Sequence, residues 1–278
     1  MLQKPLARCV CAWNSPHFSL SRERNALLVS FSLSGAILCF STKSLNPKKL
    51  SLSARRATTR EVSTANQDKE TSPLLGTMDT LVRYITGKSR ATEVAHAVWQ
   101  HIVQRGDTAI DATCGNGFDT LALLKMVSDE SRNGCVLGLD VQQSALDSTS
   151  SLLNQSVDPI QKEQVKLFLM CHSRMQDVVP KGKSIRLIAF NLGYLPRGDK
   201  TVTTVPETTF QALQSATEIL DSGGLISIIA YVGHPGGREE WEAVQALIST
   251  LPTCTWVCSK FEVLNRPKSP ILALLFKK

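Results

Sequence analysis

Residues 110–120 read IDATCGNGFDT. An apolar run ends at Asp111, Gly115 and Gly117 stand two apart, and Asp119 and Thr120 lead into the amphipathic run DTLALLKMV. The pattern is that of a strand, a bare loop and a helix, with Asp119 and Thr120 being residue types that cap helix N-termini. Glycines carry no Cβ, so main chain at such a loop can come close to a ligand.

Outward from this unit, short apolar runs alternate with segments of helical periodicity. A helix is expected over Thr92–Gln104, stopped by Gly106. Strands are expected over Thr108–Ala112, Cys135–Asp140, Val165–Met170, Ile185–Phe190 and Leu225–Val232. Further helices run from Gln142 to about Leu153, over Glu207–Leu220 with Gly223 and Gly224 behind it, and from Gly237 to about Ile248. Alternation of this kind implies right-handed crossovers and a parallel sheet with helices on both faces. The closing runs TWVCSKFEVL and ILALLFKK are separated only by NRPKSP, too short for a crossover helix, so they pair antiparallel at the edge. The expected fold is α/β and Rossmann-like, a mostly parallel seven-stranded sheet with an antiparallel C-terminal edge hairpin.

Ligands in such sheets sit at the carboxyl ends of the strands, where the first crossover turns. Asp111 and the loop of Gly115, Asn116 and Gly117 occupy that place. A dinucleotide needs a third glycine three positions after the second; Thr120 stands there, and Asp119 would set a carboxylate near the phosphates. S-adenosylmethionine has no phosphate but carries a sulfonium, an ammonium group and a ribose diol, all of which suit acids. Asp111 can lie under the ammonium or order the loop; Asp140 can accept from both ribose hydroxyls, with Gln142 assisting. A nicotinamide cofactor is the rival, and a tight turn with Asp140 as a helix cap is the structural alternative. TGKS at Thr86–Ser89 is a loop, because a phosphate-binding loop needs glycine where Val82 stands.

After the fourth strand comes FNLGYLPRGDK (Phe190–Lys200), and after the fifth YVGHPGGREEWEAV (Tyr231–Val244). Many enzymes that methylate nitrogen place Asn or Asp, then prolines and an aromatic, after the fourth strand. Asn191 is therefore a candidate for orienting an amine and Tyr194 for the substrate mouth; a structural β-turn capped by Asn is the alternative. Gly236 and Gly237 open a helix whose first turn is acidic, as the macrodipole favours. His234 lies at the same end of the sheet. Asp199 or His234 could take a proton, ranked below orientation by Asn191.

The net charge of +7 invites a nucleic-acid reading, but its location withdraws it. Residues 1–60 hold ten Lys/Arg against Glu23 alone, while 61–278 hold 21 basic and 23 acidic residues. An RNA contact therefore rests on a local patch. The basic, Ser-rich, acid-poor segment 1–60 has the composition of an organelle transit peptide, chloroplast before mitochondrion. The run Ala26–Phe40 carries three serines and is shorter than the roughly 20 residues of a bilayer span, so no membrane is expected. A secretory signal is its stronger rival, but no A-x-A-like site follows it closely. Residues 61–77 read as linker, and the structured domain is taken as 78–278. The eight cysteines make no metal framework: Cys9, Cys11 and Cys39 fall in the presequence, and Cys254 and Cys258 have no second pair. No metal is expected, and the thiols are read as buried and reduced.

The motifs DATCGNGFDT, GLDVQ, CHSRM, FNLGYLPRGDK, TTVPETT and GHPGGREEWEAV together resemble the YtqB-type putative rRNA methylase family, over about Ala91–Lys278. That resemblance implies a class I methyltransferase fold, S-adenosyl-L-methionine as cofactor, and methylation of the 5-aminomethyl group of wobble (2-thio)uridine in tRNA. It implies cofactor contacts from Asn116, Asp119, Asp140, Gln142 and His172, with Ser173 beside it, and a substrate side built from Asn191 to Lys200 and His234 to Gly237. The sequence departs from the family at Phe118, where Asn or His is expected, and at Arg197, where Gly is. The implied partner is the tRNA anticodon loop, with a homodimer as an allowed assembly. The alternatives are an rRNA or small-molecule methyltransferase, and a non-catalytic S-adenosylmethionine-binding factor of RNP assembly.

Overall fold

The computed structural model describes residues 73–278 and, nearer the N-terminus, two antiparallel pairs of two-residue strands, Arg22–Glu23 with Ala26–Leu27 and Ser32–Leu33 with Ala36–Ile37. Apart from those strands, the expected transit segment 1–60 and residues 61–72 of the expected linker lie outside the described residues. Among the described residues no helix is long and apolar enough to cross a membrane.

The domain opens with α1 (Pro73–Ile85), which begins inside the stretch read as linker. It docks on α2 (Ala91–Ile102), where the Thr77 hydroxyl meets His101 Nε2 at 2.6 Å. TGKS forms the loop between these helices. Then follow β1 (Thr108–Asp111), α3 (Phe118–Val127), β2 (Cys135–Asp140), α4 (Gln143–Ser156), a one-turn α5 (Pro159–Lys162) and β3 (Val165–Leu169). A 3-10 turn (His172–Val178) leads to β4 (Ile185–Leu192), α6 (Pro206–Ile219), β5 (Leu220–Ala230), α7 (Gly237–Thr250), β6 (Trp256–Phe261) and β7 (Ile271–Lys277).

The seven strands lie in the order β6-β7-β5-β4-β1-β2-β3, with β7 antiparallel to both its neighbours and the others parallel. Side chains alternate between the two faces. Ile110, Leu137, Leu139, Ile188, Phe190, Ile226 and Ile228 pack with Leu213, Trp241 and Val244 from α6 and α7. Ala109, Val136, Leu187, Ala189, Leu225 and Ile229 pack on the other side with Val94, Trp99, Leu123 and Leu153 from α2, α3 and α4. Strands buried on both faces explain the unbroken apolar runs. The chain steps from β1 outward through β2 to β3, then returns to place β4 on the other side of β1. The crevice between the carboxyl ends of β1 and β4 is where such sheets hold ligands.

Three local readings change. The helix α3 is not capped by Asp119 or Thr120: Gly117, in the left-handed region at φ 83°, is its N-cap residue, and both side chains turn into the site. Gly223 and Gly224 do not follow the helix as a stop but lie within β5. Register jumps there, Ile185 facing Leu220 and Leu187 facing Leu225, and a Cβ on Gly224 would fall 2.9 Å from Arg186 O. Lastly, the thiols are not uniformly buried: Cys114 is, whereas Cys254 and Cys258 are exposed, near and on the solvent-facing edge strand β6.

Gly138 lets β2 pass between neighbouring side chains: a Cβ there would stand 2.6 Å from Cys114 Sγ and 2.8 Å from Leu167 Cδ2. Gly138→Ala overpacks this point and is expected to lower stability by about 1–3 kcal/mol. An unchanged midpoint in denaturant melting would show that the sheet yields there at no cost.

Candidate active site

At the end of β1 the chain turns through Gly115 and Gly117, at φ 52° and 83°. A Cβ on Gly117 would lie 2.8 Å from Thr149 Cα, so α4 reaches the loop only because that position is bare. The Gly115 N–H donates to Asp140 Oδ2 at 2.9 Å, and Asp140 Oδ1 accepts from Gln142 N–H at 2.9 Å. Asp140 thereby joins the loop to the end of β2 and keeps acceptor capacity on both oxygens.

Asp111 is buried and orders the loop, accepting from Thr113 N–H at 3.2 Å and from the Thr120 hydroxyl at 2.6 Å. Burial pushes its pKa up to about 7, with the neighbouring Asp119 as the next cause and Asp140 a weaker one, against the two hydrogen bonds. Three acids converge on the loop. A diphosphate would meet their repulsion, whereas a ligand bearing a cation and hydroxyl donors would meet acceptors. The cradle thus fits S-adenosylmethionine by its bare backbone and by its acids.

β4 runs two residues beyond the expected end and carries Asn191 to this crevice. Its N–H donates to the Thr113 hydroxyl at 2.7 Å, and its Nδ2 donates to Asp119 Oδ2 at 3.2 Å. Asp119 Oδ1 accepts from His96 Nε2 at 2.6 Å. Among the described contacts Asp119 is thus bound to protein side chains on both oxygens. His96 was not singled out by the sequence reading. The one sequence signal is its place three residues before the buried Trp99, on whose ring it rests at 4.6 Å.

From Gly193 the chain loops over the site. Asn116 Nδ2 donates to Pro196 O at 3.4 Å, so this loop touches the glycine loop. Gly193 N–H donates to the Thr204 hydroxyl at 2.8 Å, and that hydroxyl donates to Glu240 at 2.8 Å, which also accepts from Thr209. Glu240 is buried, and burial raises its pKa against those hydrogen bonds. It too was not singled out by the sequence, which marked only an acidic first turn of the helix favoured by the macrodipole. Its spacing of four and seven residues before the buried Val244 and Leu247 was the signal that it faces inward.

Tyr194 is partly exposed, edge-on to His234 at 5.6 Å, with Lys200 Nζ 5.7 Å from its ring centre. His234 Nδ1 donates to Pro235 O at 2.8 Å, and the other ring nitrogen is Nε2. That nitrogen is buried without a partner and faces Gly193 and Gly237. Asp199 is exposed and accepts from the N–H and hydroxyl of Thr201, which hold its carboxyl below the usual range. Arg197 has φ 68°, a left-handed conformation natural to the glycine expected there. Phe118, the other departure, is exposed at the start of α3.

His172 and Ser173 follow β3. His172 is buried edge-on to Phe190 at 5.9 Å, and burial pulls its pKa down to about 4, so it is neutral at physiological pH. Ser173 Oγ donates to Cys171 Sγ at 3.1 Å. Among the described residues no group of three or more His, Cys, Asp and Glu is arranged to hold a metal ion.

The family described as "Putative rRNA methylase" matches residues 136–277. A relative from Arabidopsis thaliana, "tRNA (mnm(5)s(2)U34)-methyltransferase, chloroplastic", is 50% identical over 229 residues, 82% of this chain and 84% of its own. The chain belongs to the rRNA methylase family. A solved member, a "putative rRNA-methylase" from Clostridium thermocellum, is 34% identical, superposes with a TM-score of 0.63, and covers 68% of this chain and 98% of its own. A "putative methyltransferase" from Streptococcus mutans, solved in complex with SAH, is 31% identical with a TM-score of 0.59, covering 68% and 99%. The family match includes Asp140, Asn191, His234 and Glu240. The glycine loop, Asp119 and His96 lie ahead of it.

Asp111 supplies a test of this methylase's acid cluster. Its raised pKa means that the native state holds the proton longer than the unfolded chain, so its contribution to stability is present below about pH 4 and lost as pH rises through about 7. Melting temperature is expected to fall across that window. Asp111→Asn, neutral throughout, should flatten the fall; an undiminished slope would place its cause elsewhere.

Proposed function

We propose that this chain is a chloroplast tRNA methyltransferase that transfers the methyl group of S-adenosylmethionine to the 5-aminomethyl nitrogen of a wobble (2-thio)uridine. Family membership and the SAH-bound relative support the S-adenosylmethionine-dependent methyltransferase activity, and the name of the Arabidopsis relative supports the tRNA and the compartment. The observation that carries the reading is Asn191. Its Nδ2 is committed to Asp119, so its Oδ1 is the end of the amide available to an N–H donor.

Asp140 and the backbone of Gly115 to Gly117 would hold the cofactor, and Asp111 would hold the loop in shape beneath it. When bound, the cofactor supplies an electrophilic methyl group on a sulfonium. A primary alkylamine has a pKa near 10.4, so about one molecule in a thousand is neutral at pH 7.4. Partial desolvation under the 193–205 loop would raise that share. Asn191 Oδ1 would orient the amine, and Tyr194 would stand at the mouth. His234 Nε2 is closed off against Gly193 and Gly237, which favours orientation by Asn191 over proton abstraction by His234 as the main device. Asp199, engaged by Thr201 and exposed, fits a loop-shaping part better than that of a base. His172 and Ser173 would border the cofactor beyond Asp140, since β3 ends beside β2.

A wobble base lies in a single-stranded loop and can be splayed into a pocket without opening a duplex. We assign residues 1–60 to the transit segment and 61–72 to a linker ahead of α1. A homodimer is the assembly to test by light scattering.

Two measurements test the proposal. Mass spectrometry of chloroplast tRNA nucleosides from an organism lacking this chain should show loss of the methylated wobble uridine and accumulation of its aminomethyl precursor; an unchanged tRNA profile, or a change confined to rRNA, rejects it. Asp140→Ala removes a carboxylate whose hydrogen bonds are worth about 1.5–3 kcal/mol each. Titration calorimetry with S-adenosylhomocysteine should show affinity lowered at least about tenfold. Unchanged affinity would mean that the sugar is held elsewhere.

A further inference from the structure

We infer that His96 is a positioning residue for the methyl transfer: through Asp119 it fixes the amide of Asn191 with its oxygen towards the acceptor amine, so that the site selects an N–H donor. The inference rests on the function proposed above and adds a residue from outside the family's matched region.

Three elements that need not meet for the fold to close meet here. His96 is on α2, Asp119 in the first turn of α3 and Asn191 near the end of β4. They form a chain, His96 Nε2 to Asp119 Oδ1 at 2.6 Å and Asn191 Nδ2 to Asp119 Oδ2 at 3.2 Å. A carboxylate only accepts, so both flanking nitrogens must donate. That condition sets the tautomer of His96, with its proton on Nε2, and the orientation of the Asn191 amide, with its oxygen turned away from Asp119. An amide flipped the other way would present N–H groups to the amine, donor against donor.

His96 matters because Asp119 is only 8% exposed and has Asp111 as a close acidic neighbour. Without the imidazole donor, Asp119 Oδ1 would lose its partner in a place nearly closed to water. The carboxylate could then turn, and the amide with it. The helix itself does not depend on His96, since Val94, Ala95 and Trp99 supply its buried face. The ring is steadied from below by Trp99.

The experiment uses the full chain and two anticodon-loop RNAs that differ only in carrying 5-aminomethyluridine or uridine at the wobble position. Binding is measured without cofactor and methylation with it, for wild type, His96→Leu, His96→Gln, Asn191→Ala and the His96→Leu/Asn191→Ala double variant. A hydrogen bond to a charged group is typically worth a factor of about 10 to 100, so wild type should prefer the aminomethyl RNA by at least about tenfold. His96→Leu should abolish that preference and lower kcat by about 10- to 100-fold, with KM for the cofactor within about twofold. His96→Gln, which can still donate to Asp119, should recover most of the loss. Adding His96→Leu to Asn191→Ala should cost nothing more, as expected when one residue acts through the other. His96→Ala is read in the same way if leucine unfolds the chain. Preference and kcat untouched in His96→Leu, a matching rise in the cofactor KM, or multiplicative losses in the double variant would each overturn the inference while leaving the proposed function standing. A wild type that neither discriminates between the RNAs nor methylates either would remove both.

Discussion

The hydrogen bond from the Gly115 N–H to the Asp140 carboxylate is the contact on which the site depends. It ties the turn after β1 to the end of β2, across the line where the two strands stop pairing. The turn can reach that carboxylate only because Gly115 and Gly117 adopt left-handed angles and because Gly117 leaves room for Thr149 on α4. One acid therefore anchors the loop and is also the group proposed above to accept from the ribose diol. A side chain at Gly117 would push α4 outward and break both functions together.

Holding three acids around one turn is costly unless each has donors. The fold supplies them locally: Thr113 and Thr120 for Asp111, Gly115 and Gln142 for Asp140, His96 and Asn191 for Asp119. Burial still pushes the Asp111 pKa up, with the charge of Asp119 adding to it. A site assembled this way is set to accept a ligand that brings positive charge and hydroxyl donors, and it turns away phosphates. The electrostatics of the loop thus decide between cofactor classes that share its backbone geometry.

The loop after β4 is held by a different device. Glu240, buried at the start of α7, receives the hydroxyls of Thr204 and Thr209, and Thr204 in turn receives Gly193 N–H. The loop that begins at Gly193 is thereby fastened at both ends while its middle, with Tyr194, Arg197 and Lys200, stays exposed. A site whose supporting residues are themselves satisfied by hydrogen bonds can hold a small nucleophile in line. Arg197, in the left-handed region, sets an exposed charged side chain on this loop.

Periodicity and connection length determined that these strands exist, that helices cover both faces of the sheet and that the closing pair is antiparallel, because side-chain direction alternates along a strand and a loop of six residues holds no crossover helix. They also placed Gly115, Asp140 and Asn191 at the carboxyl ends of the first, second and fourth strands. Residues whose partners are distant in sequence were invisible to them. His96 lies 23 positions before Asp119, Thr204 lies 36 before Glu240, and neither pairing leaves a local pattern. The same holds for Asp119 and Thr120, which have the chemistry of helix caps and were read so, although the tertiary fold turns them inward to Asn191 and Asp111. Strand and helix periodicity are short-range properties written in the chain; the order of strands in the sheet, and which donor satisfies which buried acid, are decided only when β4 returns to the far side of β1 and brings α2, α3 and the 193–205 loop onto the same crevice.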